Sequence, residues 1–156
     1  MGAVLSAARE DAAALAEGGA GAVMVENYND VPFFAGAVPP ETVAAVTRAA
    51  AEVQAASGGL PLGINVLRND ARAALAVASV TGAAFMRVNV HCGVSVTDQG
   101  LVSGRAAQTL RERARLGSSV QIHADVQVKH AVPLGQPDLA QAAQDTAYRG
   151  LADGLI

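Results

Sequence analysis

Cysteine, aromatic side chains and charge are all scarce in this chain. Its 156 residues include one cysteine, no tryptophan, 3% aromatic residues and 16% charged residues. The single cysteine, Cys92, excludes an intramolecular disulfide framework and fits a reducing compartment. A formal net charge of −3 with no basic block argues against a nucleic-acid-binding surface. No basic stretch leads into an apolar core as in a signal peptide, and no apolar run approaches the roughly 20 residues of a membrane span. We therefore expect a cytoplasmic protein that does not bind nucleic acid.

Small apolar residues dominate what remains. Hydrophobic residues make up 51% of the chain, and most of them are alanine and valine. This content is ample for one hydrophobic core, which small side chains fill by packing closely. The length predicts a single domain over residues 1–156.

Helical and strand patterns alternate along the chain. The predicted strands are 22–26, 62–66, 85–90 and 120–126, and Leu155-Ile156 begins a fifth. The predicted helices lie at about 4–17, at 40–57, at 70–81, from residue 103 or 104 to 116, and from 138 to about 149. A long glycine-containing loop is expected after the third strand, and no hairpin signal separates any two strands. Strands joined through helices are parallel, so the sequence predicts an α/β fold.

Strand polarity favours a barrel over an open sheet. Central strands of an open doubly wound sheet are covered on both faces and read as continuous apolar runs. Here one alternating face of each strand is polar near its C-terminal end, at Glu26, Asn65, Asn89 and Asp125. A barrel interior accommodates this pattern, because its uppermost layer of side chains opens into the mouth of the site. The sequence therefore predicts a partial (β/α)8 barrel.

Length then limits how much of a barrel the chain supplies. A closed (β/α)8 barrel takes about 250 residues, whereas this chain provides four predicted strands and the start of a fifth. We expect either a fragment of a longer barrel or two copies that complete one another. Unpaired edges and an uncovered inner face predict self-association.

The loops after the strands carry the candidate functional residues, because α/β proteins place ligands at the C-terminal ends of parallel strands. Asp125 ends the fourth strand and is the first candidate for proton transfer or metal ligation. Lys129 would bind a phosphate as a point charge or, when desolvated, act as a base. The structural alternative is an Asp125–Lys129 pair that orders the loop. His130 is a candidate ligand contact, with a loop hydrogen bond as its alternative.

Glu26 is the third catalytic candidate. It would ligate a divalent cation together with Asp30, or accept a hydrogen bond from a sugar hydroxyl. The alternative is that residues 27–30 simply form a turn. The remaining ligand-binding candidates on these loops are Asn27, Asn65, Asn69 and Asp98.

Two arginines complete the candidate site. Arg68 is suited to clamp an anion bidentately, whereas nearby Asp70 reads as a helix cap. Arg87, like Asn89, lies inside an otherwise apolar strand, and its structural alternative is an ion pair with Glu26 or Asp125. His91 and Cys92 have no partners at zinc spacing, so no metal site is predicted from them. A divalent cation is the one cofactor candidate.

Five segments occur in order across nearly the whole chain and together carry a family resemblance. They are Met24-Val-Glu-Asn-Tyr-Asn-Asp-Val-Pro-Phe33, Leu60-Pro-Leu-Gly-Ile-Asn-Val-Leu-Arg-Asn-Asp70, Arg87-Val-Asn-Val90, Thr97-Asp-Gln-Gly100 and Ala124-Asp-Val-Gln-Val-Lys-His-Ala131. In these segments the chain resembles the BtpA family, also called BtpA/SgcQ. The resemblance implies a phosphate-binding (β/α)8 barrel. It also implies a first strand with a His-Leu-x-Pro-Leu-Pro-Gly-like segment and glycine-rich C-terminal segments, neither of which occurs in residues 1–156.

Three functional hypotheses follow. The first is an enzyme, or the larger part of one, acting on a small phosphorylated or sugar-like metabolite through Asp125, Lys129 and Arg68. The second, which the family resemblance implies through its link to photosystem I assembly, is a non-catalytic factor associated peripherally with a membrane complex. The third is an inactive truncated barrel.

Overall fold

Helices and strands alternate through most of the chain in the computed structural model, which describes residues 1–156. In chain order the elements are α1 (Gly2–Glu17), β1 (Val23–Glu26), α2 (Pro40–Ala56), β2 (Leu62–Asn65), α3 (Ala71–Thr81), β3 (Phe85–Val88), β4 (Val94–Thr97), β5 (Gly100–Ser103), α4 (Ala106–Arg115), β6 (Gln121–Ala124), β7 (Ala131–Pro133), α5 (Leu139–Gln144) and β8 (Gly154–Leu155). A short π-helical segment, Asp145–Arg149, continues α5.

Five strands form a parallel sheet in the order β1-β2-β3-β6-β8. Its register runs from Val23 opposite Leu62 at one edge to Ala124 opposite Leu155 at the other. Each strand lies beside the strand that precedes it in this sheet, and helices connect them. The predicted α/β class is confirmed, and so is the fifth strand.

Local sequence signals begin three of the helices as predicted, namely α2, α3 and α5. Asp70 Oδ1 accepts a hydrogen bond from the Ala73 amide at 3.0 Å, and Asp138 Oδ1 accepts one from the Gln141 amide at 2.9 Å. Both carboxylates satisfy amides that a helix N-terminus leaves unpaired. Pro40 is the first residue of α2, where its missing N–H costs nothing. None of these helices combines the length and the apolar content that crossing a bilayer requires.

The hydrophobic core lies between the helices and one face of the parallel sheet. Small residues on the helices, such as Ala50 and Ala78, pack against Ile64, Met86 and Ile122, and all five are fully buried. The opposite face of the sheet carries the alternate residues of each strand. There Met24 is 38% exposed, and Phe85 and Arg87 are only half-buried. The sheet therefore has one covered and one open face.

A second, antiparallel sheet corrects the prediction for residues 91–104. In place of a long loop, β4 and β5 form a hairpin, and β7 pairs with the other side of β4. The expectation of a helix starting at Ser103 or Gly104 was wrong, since Ser103 ends β5 and α4 begins at Ala106. The hairpin turn has Gly100, at φ +92°, after its two central residues. It is held by the Thr97 hydroxyl, which donates to the Gly100 carbonyl at 2.9 Å.

Candidate functional site

The C-terminal ends of β1 and β2 bring the first two predicted residues into contact. Glu26 and Asn65 end these strands and lie opposite each other in the register. The Asn65 side-chain amide donates to Glu26 Oε1 at 2.9 Å. This contact fixes one carboxylate oxygen of Glu26, while Oε2 makes no hydrogen bond.

Arg87 on β3 and Asp125 after β6 form a bidentate ion pair. Arg87 Nε donates to Asp125 Oδ1 at 3.0 Å, and Nη2 donates to Oδ2 at 2.9 Å. The Asn89 side-chain amide adds a third hydrogen bond to Asp125 Oδ2, at 3.1 Å. The hydrogen bond that Arg87 donates to Asp125 outweighs burial and raises the pKa of Arg87, so the guanidinium stays charged. The predicted ion pair with Asp125 is confirmed, whereas no ion pair joins Asp125 and Lys129.

These strand ends open into a cleft of about 660 Å³, a volume typical of small-molecule sites. We call it the strand-end cleft. Its predicted residues are Glu26, Arg68, Arg87, Asn89, Asp98, Lys129 and His130. Three of these side chains are permanent cations at neutral pH and two are carboxylates, so the lining carries an excess of positive charge.

Arg68 lines the cleft and also forms hydrogen bonds with the loop after β6. Its Nη2 donates to the Lys129 carbonyl at 2.9 Å and lies 3.5 Å from the His130 carbonyl. The side chains of Lys129 and His130 themselves are exposed and make no hydrogen bond or ion pair. Arg68 therefore positions the loop, and Lys129 is the cation that remains available to an anion.

The hairpin that was missed in the sequence brings Asp98 to the cleft. Asp98 lies in the turn between β4 and β5, where it accepts a hydrogen bond from the side chain of Gln99. The pairing of β7 with β4 attaches this hairpin to the loop that carries Lys129. The second sheet thus covers one side of the strand-end cleft.

Besides Asn65, which holds Glu26, three more predicted residues lie outside the lining of the cleft. Asp125 is buried beneath Arg87 and Asn89. Asn27 Oδ1 accepts from the Leu67 amide at 2.7 Å, which joins the loops after β1 and β2. Asn69 exchanges two 2.9 Å hydrogen bonds with the backbone of Val90 and faces a different cleft, at the start of α3 and α4.

The cation site predicted at Glu26 lacks a complete set of ligands. Asp30 is held by the Asn27 side chain at 3.2 Å, whereas Glu26 is held by Asn65. No three His, Cys, Asp or Glu side chains anywhere in the chain are grouped to hold a metal ion.

Six lining residues were missed by sequence reasoning. They are Tyr28, Asn29, Val31, Phe33, Leu67 and Val128. At the end of β1 and in the segment after it, only Glu26 and Asn27 were candidates, with a simple turn as the alternative, although aromatic residues at 28 and 33 are an unusual choice for a turn alone. Aromatic residues make up only 3% of the chain. Two of them in one short segment were therefore the signal that could have identified this part of the cleft.

His91 and Cys92 are structural, as the absence of metal-ligand spacing suggested. His91 is 1% exposed, and its Nε2 pairs with the Gly150 carbonyl at 2.9 Å. Burial lowers the pKa of His91 and raises the pKa of the Cys92 thiol. Both groups are therefore held neutral, away from the strand-end cleft.

Comparison with known proteins places the chain in a family. The BtpA family profile matches residues 1–156. The chain belongs to the BtpA family. Over 154 residues it is 53% identical to the photosystem I biogenesis protein BtpA of Synechocystis, covering 99% of this chain and 53% of that protein.

Two further relatives come from archaea and are uncharacterized. An uncharacterized protein of Thermococcus kodakarensis is 46% identical, covering 98% of this chain and 57% of its own. One from Pyrococcus horikoshii is 45% identical, covering 98% and 58%. The chain spans little more than half the length of these curated relatives. No solved structure matches it.

Proposed function

We propose that this BtpA-family chain forms an arc of a single (β/α) barrel domain, whose strand-end cleft binds a small phosphorylated or sugar-like metabolite. Two features of the main sheet support the barrel. Its five parallel strands follow one another without a change of direction in strand order, as in a barrel and unlike an open sheet with a switch point. Its open face carries the polar residues at the strand ends.

The observation that carries the binding proposal is the unpaired Lys129 beside two arginines in an open cleft. Arg68 and Arg87 are already committed to a backbone carbonyl and to Asp125. Lys129 has no such partner, and a phosphate would supply one. The cleft thus offers an anion two arginines that are held in place by other groups and one lysine that has no partner.

Chemistry at this site would involve Glu26 and Lys129 more directly than Asp125. Both oxygens of Asp125 accept hydrogen bonds, and its side chain is 3% exposed. Its role here is to position Arg87 and Asn89. Glu26 Oε2 and Lys129 Nζ are an acceptor and a donor without partners, on two residues that line the cleft.

Calorimetric titration tests the binding proposal. The chain should bind ribose 5-phosphate, and Lys129→Ala should weaken binding about tenfold through loss of one charge-assisted contact. Gln127→Ala is the matched control, because Gln127 is an exposed residue of the same loop outside the cleft. Repeating the titration with Mg²⁺ tests the cation candidate at Glu26. Absence of binding, or equal binding by Lys129→Ala and wild type, would contradict the proposal.

The 53% identity to a photosystem I biogenesis protein favours a second candidate. We infer in this case a cytoplasmic, non-catalytic assembly factor that associates peripherally with a membrane complex. Tagged protein should then co-purify with such a complex from its own organism, and Asp125→Asn or Lys129→Ala should not release it. Failure to recover any membrane complex would count against this candidate.

A further inference from the structure

We propose that Asn89 makes the strand-end cleft selective for anionic ligands that also carry a hydroxyl group. The inference rests on the proposed function, because it concerns the same cleft. Asn89 is 3% exposed and lines the cleft, yet its Oδ1 is buried and has no hydrogen-bond donor. Buried side-chain acceptors are rarely left unpaired, so an unpaired one at a cleft calls for an explanation.

The orientation of the Asn89 amide follows from its partner. Its Nδ2 faces Asp125 Oδ2 at 3.1 Å. Both oxygens of Asp125 accept hydrogen bonds from the Arg87 guanidinium, and a carboxylate in an ion pair accepts hydrogen bonds but donates none. The amide nitrogen must therefore point to Asp125, which leaves Oδ1 as the atom without a partner.

We assign the donor for Oδ1 to a ligand in the cleft, because Asn89 lines that cleft and no group of the chain supplies the hydrogen. Leaving a buried acceptor unpaired is unfavourable. An ammonium group is a poor candidate, because Arg68, Arg87 and Lys129 surround the same space with positive charge. An uncharged hydroxyl supplies the hydrogen without that repulsion.

Glu26 provides a second acceptor for the same kind of group. Its Oε1 accepts from Asn65, and its Oε2 is unpaired. A carboxylate here would repel an anion, so the anionic group belongs at the exposed Lys129 and the hydroxyls belong at Glu26 and Asn89. The cleft thus combines an exposed cation for a phosphate with two acceptors for hydroxyls, which matches a short phosphorylated chain that carries hydroxyls.

Two phosphate esters with the same three-carbon chain isolate the hydroxyl contribution. Glycerol 3-phosphate carries two hydroxyls, and propyl phosphate carries none. In calorimetric titrations the wild-type chain should bind glycerol 3-phosphate about tenfold more tightly, the effect expected when a buried acceptor gains its donor. Equal affinities for the two esters would overturn the inference and leave the proposed anion site standing. Binding of neither ester would overturn the proposed function, and the inference with it.

Variants at Asn89 test whether this residue is the source of the preference. Asn89→Leu keeps the branched shape and removes both polar atoms, so it should reduce the preference to the part that Glu26 contributes while retaining affinity for propyl phosphate. Gln127→Ala should keep the preference. If Asn89→Leu fails to show cooperative thermal unfolding, Asn89→Ala replaces it in the same comparison. A folded Asn89 variant that still favours glycerol 3-phosphate tenfold would refute the assignment to Asn89.

Discussion

Asp125 holds together the polar network at the strand ends. It accepts three hydrogen bonds, two from Arg87 and one from Asn89, while its own side chain is 3% exposed. Removing one partner of a buried ion pair costs more than the pair contributes, because the remaining charge loses its solvation and its partner together. Arg87 is 24% exposed, so water compensates part of that loss.

We therefore expect Asp125→Asn to lower the free energy of unfolding by about 2 kcal/mol. Urea denaturation followed by circular dichroism measures the difference. Glu112→Gln is the control, since Glu112 pairs with Arg115 and Arg72, which are both largely exposed, and surface pairs of this kind should change the midpoint little. A wild-type midpoint for Asp125→Asn would show that the network does not depend on this carboxylate.

At the scale of the elements, the junction between β5 and α4 depends on a close approach at Gly104. Its amide donates to the Gly93 carbonyl at 2.8 Å. A Cβ at Gly104 would lie 2.4 Å from the His91 carbonyl oxygen and 2.7 Å from the Cys92 carbonyl carbon. Both neighbours are backbone atoms, which cannot turn aside as a side chain can.

Gly104→Ala should consequently destabilise the protein by about 2 to 4 kcal/mol, because the added methyl group forces the loop after β3 away from α4. Gly21→Ala serves as the matched substitution, since a Cβ there meets nothing within 4 Å and the backbone needs no positive φ. Thermal unfolding of both variants gives the comparison. Equal melting temperatures would mean that the junction relaxes without cost.

The starts of α2, α3 and α5 were predicted from the sequence, whereas the antiparallel sheet formed by β4, β5 and β7 was not. Helix starts at Pro40, Asp70 and Asp138 rest on local capping chemistry, which a sequence displays directly. The β4–β5 hairpin has its glycine after the two central residues, at Gly100, and a threonine side chain closes the turn. The usual hairpin signal places glycine inside the turn, so this one was missed. The pairing of β7 with β4 joins segments more than 30 residues apart, and no local pattern records it.

At the scale of the whole molecule, the candidate site was predictable where it depends on topology. Parallel strands end at one edge of a sheet, which is enough to gather Glu26, Arg87 and Asn89. The sequence named Glu26 and Asp125 as possible ion-pair partners of Arg87 but could not choose between them, because an ion pair depends on which strands are neighbours. The role of Asn69 could not be predicted either, because its side chain bonds to the backbone of Val90, and every residue offers the same backbone groups.

The open face of the parallel sheet is the largest feature of the molecule without a partner. Met24 is 38% exposed there, and Phe85 stacks on His123 with ring centroids 5.0 Å apart. Strands β1 and β8 are both edges, so each has unpaired backbone groups. Exposed apolar surface beside unpaired strands favours association.

In a symmetric dimer, the unpaired backbone groups of both edge strands, β1 and β8, would gain hydrogen-bond partners. Because all five strands run in one direction, a two-fold axis along the strands sets β8 of each copy beside β1 of the other, in parallel. Light scattering should therefore show a dimer. Met24→Glu should shift the mass toward the monomer by placing charge on the enclosed face. Val80→Glu should leave the dimer intact, since Val80 is an exposed residue at the end of α3, on the helical side. A single monomeric species for the wild-type chain would mean that the open face needs no second copy.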